Sequence, residues 1–257
     1  MAPLRAASIA AAVLVIGCGL GAPARAVEEP PGLLHRSWPF AGVFGHFDDA
    51  AAQRGLQIYR EVCSNCHSLK YISFRNLAEL GYSDDEIKAI AAEAQVTDGP
   101  NDQGEMYQRP GRPTDTFPAP FANEQAARAA NGGALPPDLS LITKARAGGA
   151  DYVYSLLQGY REPPAGETGP AGTYYNIYFP GHWIAMPPPL SANQVTYADG
   201  TEATLEQEAA DVASFLTWTA EPTLEIRKQT GLKVMLFLIV LTALFYATKR
   251  RIWAQAH

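Results

Sequence analysis

EVCSNCHSLK, residues 61–70, gathers Cys63, Cys66 and His67 within five positions. A thioredoxin-type thiol pair needs a βαβ surround, and the flanking sequence has no such pattern. A four-ligand zinc site needs further Cys or His at paired spacing, and no second pair follows. A disulfide between the two thiols would leave the adjacent imidazole unexplained. Cys-x-x-Cys-His, the attachment signature of c-type haem, gives all three residues a task. Each thiol adds to one vinyl group, and the next residue lies under the ring with its imidazole toward the iron.

The residues upstream prepare that motif. In FDDAAAQRGLQIYREVCSNCH, residues 47–67, Asp48 and Asp49 are cap candidates. Ala52, Leu56, Tyr59, Val62 and Cys63 recur at helical spacing. The motif is therefore expected to close an amphipathic helix.

An iron held by His67 alone would bind small molecules, whereas a second axial ligand makes an electron carrier. Met106 sits in a polar loop, and Met235 sits in an apolar run near the C-terminus. Met186, in HWIAMPPPL, follows Ile184 and Ala185 and precedes three prolines that fix the backbone in extended geometry. A weak thioether ligand needs such a pre-set, dry loop. His182 is the rival, and bis-His ligation would lower the potential that Met raises. His35 and His46 read as ordinary surface or packing residues.

The two ends of the chain have their own logic. Residues 1–26 combine Arg5, an apolar run from Ala6 to Leu20 and a small-x-small ending at Ala26, the pattern of a secretory signal peptide. A lipoprotein-like reading of VIGC would instead keep Cys18 as an anchor. Val234 to Thr248 is uninterruptedly apolar, and with Gly231 to Lys233 it reaches about the length needed to cross a bilayer. Lys249, Arg250 and Arg251 follow at once, which puts the tail on the cytoplasmic side. The expected organisation is a signal peptide at 1–26, a periplasmic c-type haem domain at 27–230, a transmembrane anchor helix at 231–249 and a cytoplasmic tail at 250–257. The membrane would be the bacterial inner membrane.

All 26 acidic residues lie between positions 27 and 231 against 14 basic ones, so the exported part carries a net charge near −12. Such a surface repels nucleic acid and attracts basic partners. The clusters Asp84-Asp85-Glu86, Asp98/Asp102/Glu105 and Glu162/Glu167 are docking candidates. Helices are expected from Ser83 to about Gln95, over NEQAARAAN, in two pieces separated by Gly148-Gly149, and from Thr204 to Pro222. Residues 97–120 and 161–190 read as loops, which makes the exported part mainly helical with long loops.

Several ordered motifs then carry a resemblance: CSNCHSL (63–69), NGGALPPDLS (131–140), KARAGGADYVYSLLQGYREPPAG (144–166), YYNIYFPGHWIAMPPPL (174–190), VTYADGTEAT (195–204), DVASFLTWTAEP (211–222) and RKQTGLKV (227–234). The chain resembles the cytochrome c1 family, the membrane-anchored haem subunits of the ubiquinol–cytochrome c reductase (cytochrome bc1) complex. The resemblance implies a cytochrome c-like helical fold and one haem c, covalent through Cys63 and Cys66. It implies His67 and Met186 as iron ligands. Arg146 and Tyr152 match contacts to the haem propionates, and Asn131, Pro137, Leu156, Phe179 and Ile184 match positions packed around the ring. It further implies cytochrome b, a Rieske iron–sulfur protein and a basic c-type cytochrome acceptor as partners, in a dimeric membrane complex. Some bacterial relatives carry an extra cysteine pair before the axial Met. This chain has none, so packing and proline stiffness must hold its 161–185 loop. Rival readings are a ligand-binding or peroxidase-type haem protein with an open iron site, and a sensory membrane cytochrome outside the reductase.

Overall fold

The computed structural model describes residues 32–254. The leader, Cys18 and the last three residues lie outside that range. Residues 32–48 form a strap across the domain. Trp38 Nε1 donates to Asp151 Oδ1 at 2.6 Å, and His35 Nδ1 lies 2.8 Å from Asp151 Oδ2. Helix α1 (Asp49–Glu61) starts where the Asp48 side chain accepts the Ala51 N–H, and buries Ala52, Leu56, Ile58 and Tyr59. It stops before the cysteines, and a 3-10 turn takes over at Cys63–Asn65. A longer 3-10 helix follows at Phe74–Leu80. Helix α2 (Asp84–Glu93) opens on a reciprocal capping box between Ser83 and Glu86.

Residues 97–120 depart from the loop reading. Strands β1 (Gln95–Asp98) and β2 (Tyr107–Pro110) form an antiparallel hairpin with Gln95 opposite Pro110 and Asp98 opposite Tyr107. Its strands are short and polar, so no apolar alternation announces them. Ion pairs hold it: Arg109 pairs with Asp98 on the facing strand, and its Nη1 lies 2.6 Å from Asp115 Oδ2.

Helix α3 (Glu124–Ala130) is capped by Asn123. Helices α4 (Ile142–Ala145) and α5 (Gly149–Gln158) are divided at Gly148, whose φ is 86°. Residues 161–190 are mostly irregular but contain a two-residue pairing of β3 (Tyr174–Tyr175) with β4 (Trp183–Ile184).

Helix α6 (Leu205–Ala220) is the centre of the domain, packed by α1, α4 and α5. Thr204 accepts the Gln207 N–H, and the Gln207 amide reaches forward to Asp211 at 2.9 Å. Phe215 and Trp218 are buried, and small residues (Ala209, Ala210, Ala213) let neighbouring helices approach. One approach is extreme: a Cβ on Gly55 of α1 would lie 2.1 Å from the Asp211 carbonyl oxygen. At the same crossing Arg54 grips the buried Asp211 carboxylate in a two-pronged contact, Nε to Oδ2 at 2.8 Å and Nη2 to Oδ1 at 3.1 Å. Its remaining Nη1 holds Asp199 at 2.8 Å. An ion pair taken out of water is tolerated when its geometry is this complete.

Helix α7 (Leu224–Trp253) is one unbroken 30-residue helix. It starts seven residues before the expected anchor, and its apolar part is wholly exposed. It is long and apolar enough to cross a membrane.

Candidate functional site

The turn after α1 presents the Cys63–His67 motif. The Cys66 and His67 N–H groups both donate to the Cys63 carbonyl, at 3.1 and 2.9 Å, and Tyr59 Oη donates to the His67 carbonyl at 3.1 Å. Cys63 is half-buried and Cys66 is exposed, and no disulfide joins them. Burial pushes the Cys63 thiol up to about 12. Among the described residues no group of three His, Cys or carboxylate side chains is placed to hold a metal ion.

His67 has a defined orientation. Its Nδ1 lies 2.7 Å from the Pro137 carbonyl oxygen. A carbonyl only accepts, so Nδ1 carries the proton and Nε2 keeps its lone pair for a metal. Burial holds the imidazole below its ordinary value, outweighing the Pro137 contact and the Asp138 charge, which favours the neutral, ligating form.

Pro137 is itself held in place. Asp138 Oδ2 accepts from Ser68 Oγ at 2.7 Å and Lys70 N at 2.9 Å, and Oδ1 accepts from Ser140 N at 2.9 Å. Leu139 N donates to the Ser68 carbonyl at 2.9 Å. Residues 67–71 and 137–140 are thus laced together, and the lacing aims one carbonyl at His67. Burial raises the Asp138 carboxyl, but its hydrogen bonds prevail and hold it below the usual range.

A second group of residues surrounds Met186. The side chain is half-buried, and Tyr160 Oη donates to the Met186 carbonyl at 3.1 Å. Burial raises the Tyr160 hydroxyl, and Tyr152 adds to that effect. Burial also raises Tyr152, which feels the opposing charge of Arg146. Arg146 is exposed at the end of α4. Tyr160 thus ties the Met186 backbone to a site whose charge Tyr152 feels. Sequence reasoning missed Tyr160, and no spacing singles it out.

The loop before Met186 is anchored through Asn176, which is fully buried. Its Nδ2 donates to the Leu156 carbonyl at 2.7 Å, its Oδ1 accepts from Tyr178 N at 3.0 Å, and its own N–H donates to the His182 carbonyl at 2.8 Å. Trp183 lies against Gly169, where a Cβ would be 2.1 Å from the indole. Ile184 pairs with Tyr174. Phe179 is half-buried, and its carbonyl accepts from His182 N at 2.8 Å. His182 has a φ of 63°, its Nδ1 lies 3.3 Å from the Asn176 carbonyl, and its ring packs on Tyr175 at 5.5 Å. Asn131 ends α3, its Nδ2 donating to the Ala127 carbonyl at 2.7 Å. Met106 is 60% exposed near the tip of the polar hairpin.

The acidic clusters are less free than their sequence implies. Glu86 is occupied by Ser83 and Asp98 by Arg109. Asp84, Asp85, Asp102, Glu105, Glu162 and Glu167 are exposed.

A mainly helical domain with a Cys-x-x-Cys-His turn after its first helix, carried on one C-terminal apolar helix, defines the class of anchored c-type cytochromes. Comparison with known proteins narrows the class. The Cytochrome C1 family model matches residues 38–256, and the chain belongs to that family. It is 49% identical to cytochrome c1 of Rhodospirillum rubrum over 91% of this chain and 92% of that protein. It is 53% identical to the mitochondrial "Cytochrome c1-2, heme protein" of Solanum tuberosum over 83% of each. It is 51% identical to "Cytochrome b/c1" of Bradyrhizobium diazoefficiens over the whole chain, which spans 40% of that longer protein.

Proposed function

We propose that this chain is the haem subunit of a cytochrome bc1 complex, passing one electron from a Rieske iron–sulfur protein to a basic c-type cytochrome. The observation that carries the reading is the His67 imidazole, fixed by the Pro137 carbonyl so that Nε2 is free for iron, one residue after Cys66. Family membership and a relative whose name joins cytochrome b to c1 support the assembly.

Haem, once bound, supplies a single iron that alternates between two oxidation states. The chain's own residues set the terms of that exchange. Cys63 and Cys66 would tether the ring through two thioethers, and His67 would hold the iron through Nε2. Met186 would supply a thioether ligand, which favours a higher potential than a second imidazole would. The bond from Tyr160 to the Met186 carbonyl supports this choice over His182. Arg146 and Tyr152 serve propionates, since guanidinium pairs with carboxylate and a phenol donates to it. Asn131, Pro137, Leu156, Phe179 and Ile184 pack around the ring and exclude water. The haem domain stands on the periplasmic side of a bacterial inner membrane, with α7 crossing it.

Met186→Leu tests the ligand set. The expected result is a sharply lower potential, loss of the weak far-red band of the oxidised form and loss of quinol-dependent cytochrome c reduction. His182→Ala should keep that band. A parent protein without the band, an unchanged potential in the Leu variant and a shifted potential in the Ala variant would together transfer the role to His182. A pyridine haemochrome spectrum lacking the two-thioether signature would end the covalent haem reading.

A further inference from the structure

The segment AGVFG, residues 41–45, carries no charge. Phe44 is 82% exposed and Val43 66%. Isolated exposed apolar side chains are ordinary, so the significance of this pair lies in where the fold puts it. Lys228, in the second turn of α7, spends its ammonium group on the loop: Nζ donates to the Phe40 carbonyl at 2.7 Å and to the Gly45 carbonyl at 3.0 Å. Three residues earlier on the helix, Glu225 Oε1 accepts from Phe47 N at 2.8 Å. The loop closes on itself through Ala41 N to the Trp38 carbonyl and His46 N to the Pro39 carbonyl. Both ends are thus fastened to the top of α7, and the loop is held at a fixed height on it.

That height follows from a small cleft of about 150 Å³, lined by Val43, Phe44, His46, Lys228, Gln229 and Leu232. The loop tip reaches the level of Leu232. The uninterrupted apolar run starts at Val234, two residues and about 3 Å of helix rise further on. The polar boundary of a bilayer is about 5–8 Å deep on each side of the hydrocarbon. If α7 crosses the membrane, Phe44 lies inside that boundary.

We propose that the 41–45 loop is a membrane-seated wedge, with Phe44 and Val43 entering the edge of the hydrocarbon beside α7. The inference rests on α7 spanning the bilayer. Lipid is the favoured occupant on three grounds. The patch is continuous with the lipid-facing surface of the span. The Phe44 ring is wholly apolar, so moving it from water to the acyl boundary is favourable. Two side chains fall far short of the roughly 800 Å² per partner that a specific protein interface buries. Fixing this loop beside the span would also stop the domain from tilting toward that side.

The test is photo-crosslinking in lipid nanodiscs cut directly from membranes, which keep the chain with its natural partners. p-Benzoylphenylalanine replaces Phe44 in one variant and the exposed Tyr71 in another. It also replaces each of positions 236 to 239 in turn, so that every face of the span is sampled. The expected result is phospholipid adducts at position 44 and on at least one face of 236–239, with none at 71. A polypeptide adduct at 44, or no adduct there while the span positions capture lipid, overturns the wedge and leaves the span intact. Absence of lipid adducts at all four span positions overturns the spanning helix and the wedge with it.

Discussion

Gly55→Ala sets two effects of opposite sign against each other at the crossing of α1 and α6. A methyl group in the middle of a helix raises intrinsic helix stability by about 1 kcal/mol relative to glycine. Against that, an ideal Cβ at position 55 would sit 2.1 Å from the Asp211 carbonyl oxygen and 2.6 Å from Phe215 Cβ. Both neighbours are parts of a buried helix, so no flexible side chain can swing aside. The helices must part by about 1 Å or more to restore ordinary contact distances. Overpacking of this kind costs about 1–3 kcal/mol, and a backbone neighbour argues for the upper end. Parting the helices also strains the Arg54–Asp211 contact one residue away. The net expectation is a loss of about 2 kcal/mol, which lowers the melting temperature by about 4–8 °C in a domain of this size. Differential scanning calorimetry of the full chain in detergent measures it. Gly231→Ala is the control: it is also helical, but no heavy atom lies within 4 Å of its added Cβ, so its midpoint should stay put or rise slightly. If Gly55→Ala melts at or above the parent temperature, propensity outweighs packing and the close crossing of α1 and α6 is refuted.

Two further outcomes are expected. Tyr160→Phe removes the donor to the Met186 carbonyl; it should weaken the far-red band and lower the haem potential while far-UV circular dichroism stays unchanged, and an unaltered potential would detach Tyr160 from the site. Asp138→Ala strands three donors and should cost about 3 kcal/mol. Because the folded Asp138 carboxyl is held below its unfolded value, its contribution is fully present above about pH 4 and is lost as pH falls through the lower folded value. Denaturation midpoints of Asp138→Asn should therefore fall less steeply than the parent's in that acid window, and parallel slopes would remove Asp138 from the acid response.

What the sequence made legible was local. Asp48, Ser83 and Thr204 act within three residues of themselves, and a cap needs nothing from the rest of the fold. The Cys63–His67 spacing and the apolar run of α7 are local in the same sense. The hairpin was illegible because its stability comes from Arg109 bridging Asp98 and Asp115, a pairing that no local pattern shows. The same holds for Gly55, whose reason lies on a helix more than 150 residues away. Asp138 is intermediate. Its bond to Ser140 N is a local Asx turn that the Asp-x-Ser pattern signals, whereas its contacts to Ser68 and Lys70 appear only once the chain has folded back.

The start of α7 bears on how the chain would work within a membrane complex. At about 1.5 Å per residue its 30 residues measure about 45 Å, against about 30 Å of hydrocarbon. Several turns must therefore project from the bilayer, and the first of these is part of the folded domain. Leu224 is buried there. Only three residues separate α6 from α7, and Glu221 among them accepts from Arg227 and pairs with Lys144 at 3.4 Å. Lys144 stands two residues before Arg146, so the joint and the proposed propionate contact share the short helix α4. A tilt of the domain on the helix would have to break the Glu221, Glu225 and Lys228 contacts together. If the chain passes electrons between two proteins, the donor and the acceptor must do the travelling. The stiff mount then serves to hold one site at constant height for both.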